Sequence, residues 1–163
     1  MNEIYLGKIV NTHGIKGEIR LLSDFEYKDQ VFKKGFPIYI GKERNKELIA
    51  TYRKHKIFDM IKVEGINDIN DILKYKGKAV YIDRNDLKID NYLDEDLIGF
   101  SVITDKTIGK VVDIIKRPYQ KIIKISIDNK QYMIPFVDEF VKEIDLKNKQ
   151  IKIHTIEGLI YEN

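Results

Sequence analysis

The sequence predicts a mainly β protein with two small β-barrels, and three observations support this prediction. Apolar residues recur with a period of two along most of the chain, as in the stretch IKGEIRL at residues 15–21, which is the pattern of a half-buried strand. The strand candidates are short and closely spaced, as barrels require. Between residues 83 and 95 the pattern breaks into the polar, acidic stretch DRNDLKIDNYLDE, where a boundary between two small cores is expected.

The first barrel is predicted within residues 1–86. Its strand candidates are residues 4–10, 15–21, 36–40, 47–54, 58–63 and 78–82. A helix is predicted in NDINDILKYKG, residues 67–77, with Asn67 as the N-cap and Gly77 as the residue that ends it. The apolar stripe of this helix consists of Ile69, Ile72 and Leu73.

The second barrel is predicted within residues 91–163. Its strand candidates are residues 97–103, 108–115, 121–127 and 131–136, followed by a short helical turn, two strands around residues 147–148, and a terminal tail EGLIYEN. In the segment IPFVDEFVKEID, five apolar residues are expected to fill the second core, while Asp138 and Glu139 cap the turn or face water. These five are Phe136, Val137, Phe140, Val141 and Ile144.

Composition excludes several classes of protein. The 163 residues carry a net charge of +3 with both signs interspersed, so the charge permits RNA nearby without requiring it. The chain has no cysteine, which excludes disulfides, thiolate zinc sites and cysteine nucleophiles. The longest apolar runs are far shorter than the roughly 20 residues of a spanning helix, and the start lacks the pattern of a secretory signal. We therefore expect a cytoplasmic protein.

The stretch NTHGIKGEIR, residues 11–20, allows a catalytic interpretation in which His13 is a general base near Lys16 and Glu18. Such a site needs partners oriented in a cleft. The three histidines are far apart in the sequence, and the chain has no nucleophile motif, paired metal-ligand spacing or glycine-rich loop opening a helix. This interpretation is disfavoured.

Two other interpretations concern the glycines of the same stretch. Gly14 to Gly17 spells G-x-x-G, the loop with which KH domains hold a nucleic-acid backbone, but here it lies between two strand patterns. The favoured interpretation is that Gly14 and Gly17 supply positive φ or a bulge at a bend, with His13 packed beside it. Alternation then directs Lys16 and Arg20 away from the core, where they could contact RNA phosphates.

Five segments resemble the RimM family of bacterial ribosome maturation factors. They are GKIVNTHGIKGEIR at residues 7–20, DLIGFSV at 96–102, IGKVVDI at 108–114, IPFVDEFVKEIDLKNKQIKI at 134–153 and EGL at 157–159. The resemblance covers nearly the whole chain in order. It implies an N-terminal β-barrel similar to those of translation factors, followed by a PRC-barrel. The motif positions to which it gives a structural role are His13, Gly14, Gly17, Glu18, Gly99, Pro135 and Phe136.

The resemblance also implies a function. RimM proteins are non-enzymatic assembly factors that bind the maturing 30S subunit at its head, and they aid 3′-domain folding and 16S ribosomal RNA processing. The implied direct partner is the nineteenth small-subunit ribosomal protein, with 16S ribosomal RNA nearby. No cofactor and no metal are implied, and the chain is expected to be a monomer. A small RNA-modifying enzyme and a PRC-barrel adaptor unrelated to ribosomes are the alternatives, and the N-terminal barrel disfavours the adaptor.

Residues Tyr92, Leu93 and Lys142 are candidates for partner binding. The family usually carries two adjacent tyrosines, often followed by a tryptophan, just before the DLIG segment, and the pair falls here on Tyr92 and Leu93, the tryptophan position on Asp94. Leucine keeps apolar area but lacks the hydroxyl and flat face of tyrosine. The alternative is that Tyr92 only covers the linker. Lys142 lies in the segment whose exposed remainder could contact a partner.

The basic stretch KRPYQK, residues 116–121, is a further candidate for RNA contact. It combines Lys116, Arg117 and Lys121 with Tyr119, and such a combination can stack on a base or bind phosphate. A basic hairpin tip is more often only solvated, and that interpretation is favoured.

Overall fold

A computed structural model shows a chain that divides into two compact units, residues 1–89 and 90–163. The described residues are 1–14, 17–104 and 107–154, with the backbone of 161–162. Strands dominate both units, so the prediction of a mainly β fold is confirmed. Within these described ranges, no helix is long and apolar enough to cross a membrane.

The first unit is a closed six-stranded barrel. Its strands are β1 (Glu3–His13), β2 (Glu18–Leu22), β3 (Pro37–Ile40), β4 (Asn45–His55), β5 (Phe58–Val63) and β6 (Ala79–Asp83). Neighbouring strands pair antiparallel in the order β1-β2-β5-β4-β3-β6, and β6 returns to β1 to close the barrel. Inward residues such as Ile9, Ile19, Ile38 and Ile61 are fully buried, so the period-two alternation of the sequence marks the core face.

The helical segment after β5 differs in detail from its prediction. Helix α2 is Ile69–Ile72, and its N-cap is Asp68 rather than Asn67, because the Asp68 carboxylate accepts a hydrogen bond from the amide of Asn70 at 2.9 Å. A 3-10 turn at Leu73–Tyr75 follows and changes the rotation per residue. Leu73 is consequently exposed, and Tyr75 takes the buried position instead.

Helix α1, Lys28–Val31, was not predicted, because four residues are too few to show a helical period. It is tied to the barrel through Asp59, which is fully buried. The Asp59 carboxylate accepts hydrogen bonds from Lys28 Nζ at 2.7 Å and from Tyr52 Oη at 2.7 Å. Burial, which is the larger cause, and the hydrogen bond to the Asp59 carboxylate, which is the smaller one, raise the pKa of Tyr52 to about 12. We call Asp59, Lys28 and Tyr52 the buried carboxylate network.

The second unit contains a seven-stranded sheet. Its strands are β7 (Ser101–Ile103), β8 (Thr107–Arg117), β9 (Gln120–Ile127), β10 (Lys130–Pro135), β11 (Val141–Asp145), β12 (Gln150–Ile153) and β13 (Tyr161–Glu162). The order is β11-β12-β7-β8-β9-β10-β13, and β12 and β7 pair in parallel. The buried core consists of Leu97, Phe100, Val102, Val111, Ile123, Ile125, Ile134, Val141, Ile151 and Ile153.

Three predictions for this unit were wrong in detail. The first strand begins at Ser101 rather than at residue 97, because a 3-10 turn occupies Asp94–Leu97. Val137 is 45% exposed and does not fill the core, since it lies in the turn after β10. Part of the predicted tail is strand β13, which pairs with β10.

Candidate partner-binding surfaces

The bend between β1 and β2 has the backbone geometry of a tight turn. Gly14 and Gly17 have φ values of +71° and +84°, which favour glycine, and the amide of Gly17 donates to the carbonyl of Gly14 at 3.4 Å. His13 and Glu18 are cross-strand partners on either side of it. Lys16, predicted as an RNA contact, lies outside the described residues.

Four side chains gather next to this bend, and we call them the bend cluster: His13, Arg20, His55 and Phe58. Arg20 Nη2 lies 2.9 Å from His13 Nδ1, and the guanidinium carbon lies 5.0 Å from the centre of the Phe58 ring. The rings of His13 and His55 are 6.1 Å apart between centroids. Burial and the positive charges of Arg53 and Lys56 lower the pKa of His55. The cluster is therefore a packed aromatic and cationic surface.

The side chain of Arg20 is less exposed to solvent than the alternation pattern predicted. Its side chain is half-buried, and its buried Nε has no hydrogen-bond partner among the described residues. Removing it would take away packing on Phe58 as well as charge. The prediction that Arg20 contacts a partner stays a prediction, and this burial indicates that loss of the side chain would also lower stability.

Glu18 on β2 forms an ion pair with Arg53 on β4, and the two side chains meet across the intervening strand β5. Arg53 Nε and Nη2 donate to the two carboxylate oxygens at 2.9 and 2.8 Å. The hydrogen bond from Arg53 lowers the pKa of Glu18, and a carboxylate held ionised in this way is a weak proton acceptor. Within the described ranges, no group of three or more acidic, histidine or cysteine residues could hold a metal ion.

Tyr92 and Leu93 occupy different environments at the start of the second unit. Tyr92 is partly buried against the second core, which leaves part of its ring accessible. Leu93 is only 3% exposed, and its amide donates to the Asp96 carboxylate at 2.8 Å. The prediction that Leu93 offers a surface to a partner is therefore corrected, because its side chain is used for packing.

An ion cluster follows these residues at Asp94. Asp94 is 7% exposed and accepts contacts from Lys121 Nζ at 3.1 Å and Lys116 Nζ at 3.4 Å. Burial disfavours the charged form of Lys116, but the attraction of Glu95 and Asp94 outweighs this and raises its pKa. Two of the three cations in the KRPYQK stretch are thus neutralised locally, while Tyr119 is fully exposed.

The remaining residues predicted for the second unit divide into one exposed side chain and three structural positions. Lys142 is exposed on β11. Gly99 has a φ of +93°, and its amide donates to the carbonyl of Val111 at 2.8 Å. Pro135 pairs with Ile122 at the end of β10. The ring of Phe136 packs against the core and lies 5.2 Å from Lys121 Nζ. Among these, only Lys142 presents a free side chain to a partner.

Two family models match the chain, one in each unit. The model described as the RimM N-terminal domain matches residues 4–87, and the model described as the RimM PRC barrel domain matches residues 94–159. The chain belongs to the RimM family. The resemblance inferred from the five segments and the second barrel type are therefore confirmed.

Relatives of RimM type match over nearly their full length. A protein named Ribosome maturation factor RimM from Staphylococcus haemolyticus is 37% identical over 97% of this chain and 99% of its own. Proteins of the same name from Staphylococcus epidermidis and Halalkalibacterium halodurans are 38% and 34% identical, over 97% and 95% of this chain and 99% and 96% of their own. The similarity thus extends across both RimM domains.

Several site residues of this RimM chain were missed by sequence reasoning. Arg53, His55 and Phe58 join His13 at the bend only because β5 pairs with β2 and β4 pairs with β5 in the barrel. Asp94 was considered only as a replaced tryptophan position. The alternation patterns give the strands but not which strands become neighbours, so no signal in the sequence groups these residues.

Proposed function

We propose that this protein is a ribosome maturation factor that binds the assembling 30S subunit at its head and aids 3′-domain folding and 16S ribosomal RNA processing. The observation that carries this proposal is its relation to proteins named Ribosome maturation factor RimM, 37% identical over 97% of the chain. Both domains are matched, so the proposal concerns the whole chain. Such a factor works as a monomer in the cytoplasm, where subunits assemble.

The proposed protein partner is the nineteenth small-subunit ribosomal protein, contacted by the PRC-barrel domain. Tyr92 supports this assignment, because a partly exposed tyrosine supplies a rigid ring with a polar tip at an interface. Lys142 adds an exposed cation in the same domain. Arg20 and Lys16 of the first domain are proposed to approach 16S ribosomal RNA.

The proposed activity is binding without catalysis. His13 contacts Arg20 through Nδ1, and Glu18 is ionised and paired with Arg53. These contacts account for both residues as parts of the bend, so no general base is needed to explain them. The protein then acts by binding alone, because binding favours one order of folding steps in the immature RNA over others.

Cells that lack the protein test the main proposal. They are expected to accumulate small subunits with unprocessed 16S precursor and to translate poorly, and the wild-type gene should restore both. A His13→Ala variant should restore them to the extent that it still cosediments with immature subunits. Normal subunit profiles without the protein would contradict the proposal, and a stable, fully binding but inactive His13→Ala protein would point to an enzyme.

A pair of tyrosine variants tests the protein partner. Tyr92→Leu is expected to weaken binding of the isolated nineteenth small-subunit protein about tenfold, as loss of an aromatic anchor does. Tyr119→Leu is the matched control, because Tyr119 is fully exposed in the same domain. Equal binding by both variants and the wild type would remove Tyr92 from the interface.

A further inference from the structure

Three tyrosines form a row across the outside of the first barrel, and we call Tyr5, Tyr81 and Tyr39 the tyrosine row. Tyr5 on β1 is the register partner of Tyr81 on β6, and Tyr81 is the register partner of Tyr39 on β3. Residues in direct register on one face have Cβ atoms about 4.5 to 5.5 Å apart. The row therefore forms one continuous strip over three neighbouring strands.

The strip faces solvent and not the core. The residues on either side of each tyrosine are buried, namely Ile4, Leu6, Ile38, Ile40, Val80 and Ile82. Since side chains alternate along a strand, the tyrosines point outward. Tyr5 is 55% exposed, and its ring meets the Tyr81 ring edge-on with centroids 5.9 Å apart. Tyr39 and Tyr81 are partly buried, so the strip offers a continuous, partly accessible aromatic surface to a ligand.

Arg44 extends the strip with a second flat group. Its guanidinium carbon lies 3.8 Å from the centre of the Tyr81 ring, and its nitrogens donate to the Glu3 carboxylate and to the carbonyl of Gly41. The guanidinium plane is thus fixed over the ring by three hydrogen bonds. A fixed guanidinium plane and a tyrosine ring are both surfaces on which unstacked bases stack.

Cations surround the tyrosine row. Lys46 is the register partner of Tyr39, Lys8 is the register partner of Ala79, and Lys42 and Lys78 line a cleft of about 380 Å³ next to Tyr81. The nearby carboxylates are fewer. They are Glu3, which is paired with Arg44, Glu43, which lies 3.9 Å from Lys78 Nζ, and Asp83 in register with Glu3. Together with Arg44 these four lysines make five cations against three carboxylates, which leaves the surface positive.

We propose that the tyrosine row with Lys42 and Lys78 is a binding site for single-stranded RNA, which stacks bases on the rings and places phosphates on the lysines. The inference rests on the proposed function, since it names the RNA conformation that the first domain binds. Flat aromatic faces inside a positive rim suit a strand whose bases are unpaired, whereas a duplex hides its base faces. A maturing subunit offers such segments wherever ribosomal RNA has not yet paired.

Binding of labelled RNA to the purified full-length protein tests the site. The probes are a fluorescent single-stranded RNA of eight nucleotides and a duplex of the same sequence, followed by anisotropy at several salt concentrations. The combined change Tyr5→Leu with Tyr39→Leu is expected to weaken single-strand binding about fivefold, because leucine keeps apolar area but offers no flat face. Tyr5→Phe with Tyr39→Phe is the matched control and should bind like the wild type.

The lysines have a different expected signature. Lys42→Ala with Lys78→Ala should reduce the slope of log affinity against log salt by about 1.4, because each lost phosphate contact on a single strand contributes about 0.7. The tyrosine variants should leave that slope unchanged. Lys147→Ala, an exposed lysine of the second domain, should change neither affinity nor slope.

The outcomes separate this inference from the proposed function. Unchanged single-strand binding by the leucine variants, or equal affinity of the wild type for strand and duplex, would overturn the stacking site. Leucine variants that bind RNA normally but lose cosedimentation with immature subunits would show that the row contacts a protein, and this also overturns it. Failure of the wild type to cosediment with immature subunits would instead contradict the proposed function, whether or not the protein binds the eight-nucleotide RNA.

Discussion

The two domains of this chain differ in charge far more than the whole sequence suggests. Residues 1–89 contain 18 Lys and Arg and 13 Asp and Glu, a net charge of +5, whereas residues 90–163 contain 11 and 13, a net charge of −2. The overall value of +3 hides this division. Because attraction to phosphate depends on local positive charge, the first domain is the one suited to RNA and the second the one suited to protein.

The largest expected effect contrasts the buried acids of the two domains. Asp59→Ala would leave Lys28 and Tyr52 without their shared partner, and should cost about 3 kcal/mol of unfolding free energy. Asp94→Ala should cost about 1 kcal/mol, because Lys116 and Lys121 are more exposed and can turn to water. Amide hydrogen exchange in the full-length protein would follow each domain separately.

Equal losses of protection from the two substitutions would contradict this contrast. That result would show that the Asp94 carboxylate contributes as much to stability as the fully buried Asp59 carboxylate. Asp138→Ala, which removes an exposed acid, is the control and should leave exchange unchanged in both domains.

A smaller effect is expected at one glycine in each domain. Gly14→Ala and Gly99→Ala should each cost roughly 1 to 2 kcal/mol, because both residues have positive φ. No described atom lies within 4 Å of a Cβ placed at either position, so the cost is conformational rather than steric. Gly99→Ala should lower the unfolding free energy more than Gly14→Ala, since the φ of +93° at Gly99 is farther from the left-handed minimum near about +57°. Urea unfolding with domain-specific probes would measure both.

The pH dependence of stability should differ between the domains above pH 10. Burial and Asp59 raise the pKa of Tyr52 to about 12, so the folded chain keeps this proton after the unfolded chain has lost it. The stabilising contribution is complete below pH 10 and is lost between pH 10 and about 12. Tyr52→Phe should therefore flatten this part of the stability curve of the first domain, and Tyr119→Phe in the second domain should not. An unchanged curve for Tyr52→Phe would remove the tyrosine from the buried carboxylate network.

The smallest effect is one in which the domains should agree. Arg53→Ala removes an exposed ion pair with Glu18, and Lys152→Ala removes an exposed pair with Glu143 at 3.3 Å. Exposed pairs contribute little to stability because water screens them. Both variants should melt within experimental error of the wild type, and a clear loss at Arg53 alone would show that the bend depends on its ion pair.

Local patterns predicted the strands well, and they failed where distant segments meet. The bounds of β5, residues 58–63, agree with the prediction, because alternation and flanking turn residues are local signals. The pattern predicts Asp59 as a polar strand residue, yet it lies on the buried face with Ile61, because Lys28 of the unpredicted helix α1 and Lys54 of β4 pair with its carboxylate. The shorter of these contacts comes from a residue 31 positions away, and such a contact leaves no mark in the pattern.

The candidate sites were less accessible to sequence reasoning than the fold. Tyr5 and Tyr81 become neighbours only through the register of β1 with β6, and a bulge between Tyr5 and Gly7 shifts that register. The bend at Gly14 was predictable because glycine spacing is local. Leu93 was assigned to a partner surface by its motif position, and only its burial corrects that assignment.

The parallel pairing of β7 with β12 sets an order of events during protein synthesis. The six strands of the first barrel all lie before residue 84, so that barrel can close before the second has been made. β7, complete at residue 103, waits for residues 150–153 to cover its edge, a delay of several seconds at about 5 to 20 residues per second. A chain cut short before residue 150 would keep a finished first barrel but carry an open strand edge, and such edges promote aggregation.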